Sequence, residues 1–232
     1  MKNKILPISI FINIVLVIAF LMLIAKIGGW NHFFYKIQNR GLAGTYQHRS
    51  ELLNKLRVTS DDIVFLGNSI TQYCEWSELL QDSNVKNRGI AGDGVDGVLK
   101  RIQPILDGKP KAIYLMIGVN DLFFHEEDYI IERYEKILQQ CASMSLSTKV
   151  IVQSVLPVNG DIKSITISNE SIVSLNKKIK ELSLRFGLDY LDLHSKFINA
   201  EGKLKADFSV DGIHINGAGY RLWKKLLIGF PT

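Results

Sequence analysis

Stretches of consecutive apolar residues alternate along this chain with longer stretches whose apolar residues recur every three or four positions. The first kind is typical of strands buried on both faces, and the second of helices that cover them. The predicted strands are residues 62–67, 84–90, 111–118, 148–157 and 188–193. The predicted helices are residues 69–81, 94–106, 127–144, 168–187 and 216–230. This order predicts an α/β fold of three layers, with a parallel sheet covered by helices on both faces.

An uncharged apolar segment precedes these elements, from Ile5 to Ala25, with Lys2 and Lys4 before it and Lys26 after it. A helix rises 1.5 Å per residue, so this segment would span about 30 Å, the thickness of a bilayer core. A cleaved signal peptide is the alternative, but its apolar part is usually only about 7–15 residues long. We therefore expect an uncleaved transmembrane helix, with the domain on the exported side, periplasmic or extracellular.

Three parts of the chain are predicted: a membrane anchor in residues 1–28, a juxtamembrane linker with a lead-in helix in residues 29–60, and the α/β domain in residues 61–232. The lead-in helix is expected over residues 46–56. Aromatic residues follow the apolar segment and suit either a membrane interface or the packing of a juxtamembrane helix. They are Trp30, Phe33, Phe34 and Tyr35.

Composition argues against several classes of function. The formal charge of +5 is spread along the chain without a basic run, so a nucleic-acid partner is not expected. The glycine-rich segment "NRGIAGDG" is not a G-x-G-x-x-G dinucleotide motif, and the sequence has neither a Walker pattern nor a His/Glu metal motif. We therefore expect no cofactor and no metal. Cys74 and Cys141 lack metal or redox spacing and are expected to be buried and unpaired.

Five residues that could take part in catalysis lie close to the ends of predicted strands. Ser69 follows the first strand, Gly92 the second and Asn120 the third, while Asp211 and His214 lie between the fifth strand and the last helix. The carboxyl ends of parallel strands meet at one edge of a sheet, and ligands of such sheets bind there. These five residues are therefore expected to come together.

The set matches the needs of a serine nucleophile. A serine hydroxyl requires a neighbouring base, which His214 could supply, and Asp211 could orient the imidazole and stabilise its charged form. The N–H groups of Ser69 and Gly92 and the side-chain amide of Asn120 could donate to an oxyanion. Taken singly, the same residues have simpler interpretations: a helix N-cap, a glycine-rich loop, a turn former and a surface histidine. Only their joint occurrence favours catalysis.

The segments "FLGNSIT", "NRGIAGDG", "IGVND" and "DGIH" follow one another as in the SGNH hydrolases, the GDSL-type esterases and lipases, which this sequence resembles over about residues 60–228. The resemblance implies a flavodoxin-like sheet, Ser69 as nucleophile, Gly92 and Asn120 as oxyanion donors, and Asp211 and His214 as acid and base. The sequences of these segments are most similar to a branch of the family that contains platelet-activating-factor acetylhydrolase subunits, lysophospholipase-like enzymes and carbohydrate acetylesterases. Asn68 stands where the name-giving motif has Asp, beside the serine and outside the triad.

The expected reaction is hydrolysis of short-chain, acetyl-type esters of small molecules or glycans through an acyl-Ser69 intermediate. The loops after the third and fourth strands are too short to build a deep acyl tunnel. A lysophospholipase, a sugar O-acyltransferase and a non-catalytic carbohydrate-binding module remain alternatives, and the oligomeric state is open. The pair His194-Ser195 is a rival site, but neighbours on an extended segment point to opposite faces. His125 is expected in a solvated loop.

Overall fold

The computed structural model describes residues 5–26, 40–143 and 147–230, and its contacts divide the chain into two units, Met1–Gly44 and Thr45–Thr232. The first unit contains helix α1, Ile5–Lys26. Over Ser9–Lys26 its mean hydropathy is 2.5, enough for a membrane-crossing helix or a signal sequence. Trp30, Phe33, Phe34 and Tyr35 lie outside the described residues.

The second unit is built on a parallel sheet of five strands in the order β2-β1-β3-β4-β5. The strands are β1, Ile63–Gly67; β2, Val85–Gly89; β3, Ala112–Met116; β4, Lys149–Gln153; and β5, Asp189–Leu191. Gly67 pairs with Gly89 on one side and with Met116 on the other. The first three strands therefore end at the same level, and the loops that follow them leave from one edge.

Helices lie against both faces of this sheet. The helices described after α1 are α2, Arg40–Lys55; α3, Ser69–Gln72; α4, Trp76–Leu80; α5, Val95–Arg101; α6, Gln103–Asp107; α7, Glu127–Ala142; α8, Asn169–Arg185; α9, His194–Phe197; and α10, Gly217–Ile228. Short 3-10 turns occupy Asp121–Phe123 and Ala206–Phe208. On one face α5 and α8 both contact α7, whereas α10 contacts α4 separately. The predicted three-layer α/β fold is confirmed.

Two helices predicted as continuous are each divided in two. Residues 69–81 form α3 and α4, because the side-chain amide of Asn87 donates to the carbonyls of Thr71, Gln72 and Cys74 at 3.1, 3.0 and 2.9 Å, which ends α3. Residues 94–106 form α5 and α6, and Pro104 lies in the first turn of α6, where its missing N–H costs nothing.

The core follows the strands closely. All five residues of β3 are buried, and Val64, Leu66 and Val152 are completely inaccessible. The ring of Phe65 stacks on Trp76 and on Tyr114 at centroid distances of 4.0 and 4.9 Å. These contacts fix α4 against the sheet below the strand ends.

Other predictions about individual residues have mixed outcomes. Cys74 and Cys141 are buried and unpaired, as predicted. His194 and Ser195 lie in α9, so the extended segment assumed for them is wrong; Oγ of Ser154 accepts the N–H of His194 at 2.8 Å and Oδ1 of Asp192 accepts that of Ser195 at 3.1 Å, which stabilises a helical turn. The boundary expected at residue 60 stays a prediction, and the compact unit that holds the sheet begins at Thr45.

Candidate active site

The corner between β1 and α3 presents Ser69 at the sheet edge. Helix α3 begins at Ser69, but the cap of the helix is Asn68, whose Oδ1 accepts the N–H of Ile70 at 3.0 Å. The serine hydroxyl is therefore not used as the N-cap. Its Oγ lies 2.8 Å from Nε2 of His214.

The turn "DGIH" holds Asp211 and His214 in register with that hydroxyl. Oδ2 of Asp211 lies 2.6 Å from Nδ1 of His214, and Oδ1 accepts the N–H groups of Ile213 and His214 at 3.0 and 2.8 Å. Gly212 has φ +81°, and a Cβ there would lie 2.3 Å from the carbonyl oxygen of Asn159. Only glycine fits this turn without strain.

Electrostatics assigns the protons of this chain of hydrogen bonds. Partial burial alone would raise the pKa of Asp211, but hydrogen bonds from the His214 ring and two backbone N–H groups outweigh it and lower the pKa to about 2. A carboxylate can only accept, so Nδ1 of His214 donates to it. In the neutral imidazole Nε2 is then the acceptor that faces the hydroxyl of Ser69, which is the arrangement needed to remove its proton.

Two backbone N–H groups and one side-chain amide are the predicted oxyanion donors. Gly92 is exposed with φ +79°. Within the described part of the chain, neither its N–H nor that of Ser69 has a hydrogen-bond acceptor. Nδ2 of Asn120 donates to the carbonyl of Asp93 at 2.8 Å, which brings the amide against the loop that carries Gly92. The amide has a second N–H to donate.

Buried charges behind this loop were not predicted from the sequence. Asp93 and Arg101 form an ion pair at 2.7 Å, and both carboxylate oxygens of Asp121 accept the N–H of Val95 at 3.0 and 3.2 Å. Burial, together with the nearby charge of Asp93, raises the pKa of Asp121 to about 7. The sequence feature that could have indicated a buried ion pair was Arg101, a cation among the apolar positions of a predicted helix.

Aromatic side chains lie beside His214 and along the loop that follows β3. The ring of Tyr73, which is 53% exposed, lies 5.2 Å from the ring of His214 and was not singled out from the sequence. Phe123 packs on the core beneath its loop, with the Phe124 ring 6.0 Å away. His125 is exposed and stacks on Tyr129, as expected for a solvated loop.

Among the residues that the structure describes, no three His, Cys, Asp or Glu side chains are grouped so that they could hold a metal ion. The arrangement of Ser69, His214 and Asp211 can instead support nucleophilic attack on a carbonyl carbon.

Comparison with known proteins identifies the family of this chain. The model of the GDSL-like lipase/acylhydrolase family matches residues 65–222. Platelet-activating factor acetylhydrolase IB subunit alpha2 from Rattus norvegicus and from Homo sapiens is 27% identical over 167 residues, which cover 68% of this chain and 71% of that subunit.

Solved structures give the same result for the fold. A structure from Streptococcus pneumonia, provisionally described as a platelet activating factor, is 26% identical with a TM-score of 0.76, covering 84% of this chain and 97% of that one. Axe2, an acetylxylan esterase from Geobacillus stearothermophilus, is 18% identical with a TM-score of 0.62, covering 75% and 96%. At that identity the likeness concerns the fold alone.

Proposed function

Because this chain belongs to the GDSL-like lipase/acylhydrolase family and is an ester hydrolase, we propose that Ser69, His214 and Asp211 are its catalytic triad and that it removes short acyl groups, acetyl above all. The observation that carries the proposal is the pair of hydrogen bonds, 2.8 Å from Ser69 to His214 and 2.6 Å from His214 to Asp211.

The reaction follows from that geometry. Oγ of Ser69 attacks the ester carbonyl as Nε2 of His214 takes its proton, and the oxyanion accepts hydrogen bonds from the N–H groups of Ser69 and Gly92 and from Asn120. Collapse breaks the ester bond, and His214 returns the proton to the leaving alcohol. Water, deprotonated by the same imidazole, then attacks the acyl-Ser69 ester; the bond to Oγ breaks as His214 returns the proton to Oγ, and the free acid is released.

Exposure of the site favours small acyl groups. The side chains of His214 and Asp211 are 31% and 36% exposed, more than a covered acyl tunnel would leave. The name of the mammalian relatives, platelet-activating factor acetylhydrolase, specifies an acetyl ester and supports the same choice. The substrate would then be a small-molecule or glycan ester whose alcohol part lies largely in solvent.

A series of chromogenic esters from acetyl to octanoyl tests this proposal, with Ser69→Ala as the inactive reference. Each methylene buried in a pocket contributes roughly 0.8 kcal/mol, so a tunnel would make kcat/KM climb several-fold for every two carbons. We expect kcat/KM to fall along the series. A clear preference for octanoyl would reject the small-acyl specificity and favour a lysophospholipase.

A sugar O-acyltransferase with the same residues is separated by its product. The acyl-enzyme would pass its acyl group to a sugar hydroxyl instead of water. We expect free acid as the product whether or not a sugar acceptor is added. Accumulation of acylated sugar at the expense of free acid would contradict hydrolysis as the main reaction.

We also propose that α1 stays attached and anchors the protein in a membrane, with the catalytic unit on the exported side. Side chains of Ser9–Leu23 are exposed, and α1 has 22 residues, enough to cross a bilayer core. Lysines lie on both sides of the apolar segment, so the distribution of positive charge favours neither orientation.

A further inference from the structure

A buried ion pair lies directly behind the loop that carries Gly92. The side chains of Arg101 and Asp93 are 4% and 1% exposed, and Nε of Arg101 donates to Oδ2 of Asp93 at 2.8 Å. The other nitrogens of the guanidinium donate to the carbonyls of Arg88 at 2.8 Å and Gly67 at 3.0 Å. One side chain therefore joins the ends of β1 and β2 to the residue after Gly92.

Asp93 extends this connection to the third oxyanion donor. Its carbonyl accepts Nδ2 of Asn120 at 2.8 Å, and its carboxylate accepts the N–H of Gly94 at 3.1 Å. Hydrogen bonds of two buried side chains, Arg101 and Asp93, thus connect the strand end before Ser69 with the loops of Gly92 and Asn120. Donors held in this way need little reorganisation when charge develops on a substrate.

The glycines of this region leave room for the carboxylates. Gly97 lies inside α5, where glycine is the poorest helix former after proline. A Cβ at that position would lie 1.6 Å from Oδ1 of Asp93, and one at Gly94 would lie 2.3 Å from Oδ1 of Asp121. Helical propensity is therefore given up where the carboxylates approach the backbone.

Helix α2 adds a weaker contact from the other side. Oη of Tyr46 donates to Oδ1 of Asp93 at 3.3 Å, and Nε of Arg49 donates to the carbonyl of Gly89 at 2.6 Å. Burial, and then the charge of Asp93, raises the pKa of Tyr46 to about 12, so its hydroxyl remains a donor at neutral pH. Residues before the expected domain boundary therefore contact the loop.

We propose that Asp93 and Arg101 are positioning residues, which set the oxyanion donors of Gly92 and Asn120 relative to Ser69, with a smaller contribution from Tyr46. Neither side chain needs to touch the substrate for this. A displacement of about 1 Å at an active site can lower the rate about 100-fold. The inference rests on the proposed function, because it concerns the oxyanion hole of that site.

The test uses the full chain in detergent and compares Asp93→Asn, Arg101→Lys and Tyr46→Phe with the wild type. Lysine keeps the charge of Arg101 but lacks the planar fork of nitrogens that spans its acceptors. Asp96→Asn is the matched control, since it makes the same change on α5 at a carboxylate that contacts Tyr129 and Arg133 instead. Melting temperatures identify variants that fail to fold.

For the folded Asp93 and Arg101 variants we expect kcat to fall about 100-fold while KM changes by less than about twofold. Affinity for an alkyl boronic acid, whose oxygen occupies the oxyanion hole, should fall in parallel. Tyr46→Phe keeps the ion pair and should lower kcat by about threefold to tenfold, so it decides the question if the other variants do not fold. Asp96→Asn should match the wild type.

Folded variants with wild-type kcat and boronic acid affinity would overturn the inference and leave the proposed function intact. A change confined to KM would also overturn it, because displaced oxyanion donors act on the transition state. A wild-type protein without esterase activity would reject the proposed function and this inference together.

Discussion

Asp211 is the residue whose charge most directly shapes the pH dependence of the site. Its pKa is lowered to about 2, since hydrogen bonds from the His214 ring and two backbone N–H groups outweigh the effect of partial burial. A carboxyl group whose pKa is lowered by folding stabilises the folded state when the pH is above the pKa of the unfolded state, about 3.9. This contribution disappears as the pH falls toward the pKa of the folded state. Asp211 is therefore a carboxylate wherever a histidine titrates.

We therefore predict that the acid limb of kcat/KM follows one ionisation, that of the base. Asp211→Asn should lower kcat by about 10²–10⁴-fold, because the imidazole loses the acceptor that fixes its tautomer. Profiles from about pH 4.5 to about pH 9 for wild type and variant measure both effects. Asp207→Asn, at an exposed site in the nearby 3-10 turn, is the control. An acid limb with a two-proton slope would contradict the assignment.

The ionisation of Asp121 should change the pH dependence of stability in the direction opposite to that of Asp211. Burial raises its pKa to about 7, so the folded state binds a proton that the unfolded state releases near about pH 3.9. The stabilisation from this proton is complete below the unfolded pKa and is lost as the pH rises to about 7.

Between about pH 4 and about pH 7, the unfolding free energy of the wild type should therefore fall relative to that of Asp121→Asn, by about 4 kcal/mol at most. Asparagine keeps an oxygen for the N–H of Val95 but cannot ionise. Urea unfolding at several pH values measures the shift, and a difference independent of pH would show that Asp121 is not perturbed.

At the scale of elements, the short helix α3 depends on its cap. Asn68 is 1% exposed and its Oδ1 accepts the N–H of Ile70 at 3.0 Å. Asn68→Ala should lower the unfolding free energy by about 1 kcal/mol, the usual contribution of an N-cap side chain. Asn84→Ala, at an exposed position before β2, is the control. Equal losses for both variants in urea unfolding would contradict the capping role.

The same elements show how far sequence could predict this structure. Apolar runs located β1, β3 and β4, because a strand buried on both faces leaves a continuous pattern, whereas β2 reads VKNRG and was expected only as a short extended piece between two helices. The division into α3 and α4 escaped prediction because the cause is distant: Asn87, on β2, binds the carbonyls at the end of α3. The division between α5 and α6 did have a local sequence signal, Pro104, but the amphipathic periodicity of residues 94–106 favoured one continuous helix.

The candidate site shows a similar limit. Ser69, His214 and Asp211 were singled out by their positions after strands and by the "DGIH" spacing, and the structure brings them into hydrogen-bond distance. Asp93 and Arg101 were missed because their pairing depends on how α5 packs behind β1 and β2. The residues of the proposed triad could be predicted from local patterns, whereas the positions of Asp93 and Arg101 depend on tertiary packing.

At the scale of the whole molecule, we predict that residues 5–26 remain on the mature protein and hold it in the membrane fraction. The helix is long and apolar enough, with a mean hydropathy of 2.5 over Ser9–Lys26. Fractionation under alkaline carbonate, followed by amino-terminal sequencing, measures both properties. A soluble mature protein that begins near residue 27 would mean that the segment is a cleaved signal peptide.

The central claim is that Ser69 is the covalent nucleophile, and labelling by a fluorophosphonate tests it most directly. The wild type should gain one adduct, mapped by mass spectrometry to the peptide that contains Ser69, because Nε2 of His214 lies 2.8 Å from its hydroxyl. Ser69→Ala should gain none, and Ser195→Ala, the matched change at the exposed serine of the rival pair, should label like the wild type. Equal labelling of Ser69→Ala and wild type, or an adduct on Ser195, would contradict the account.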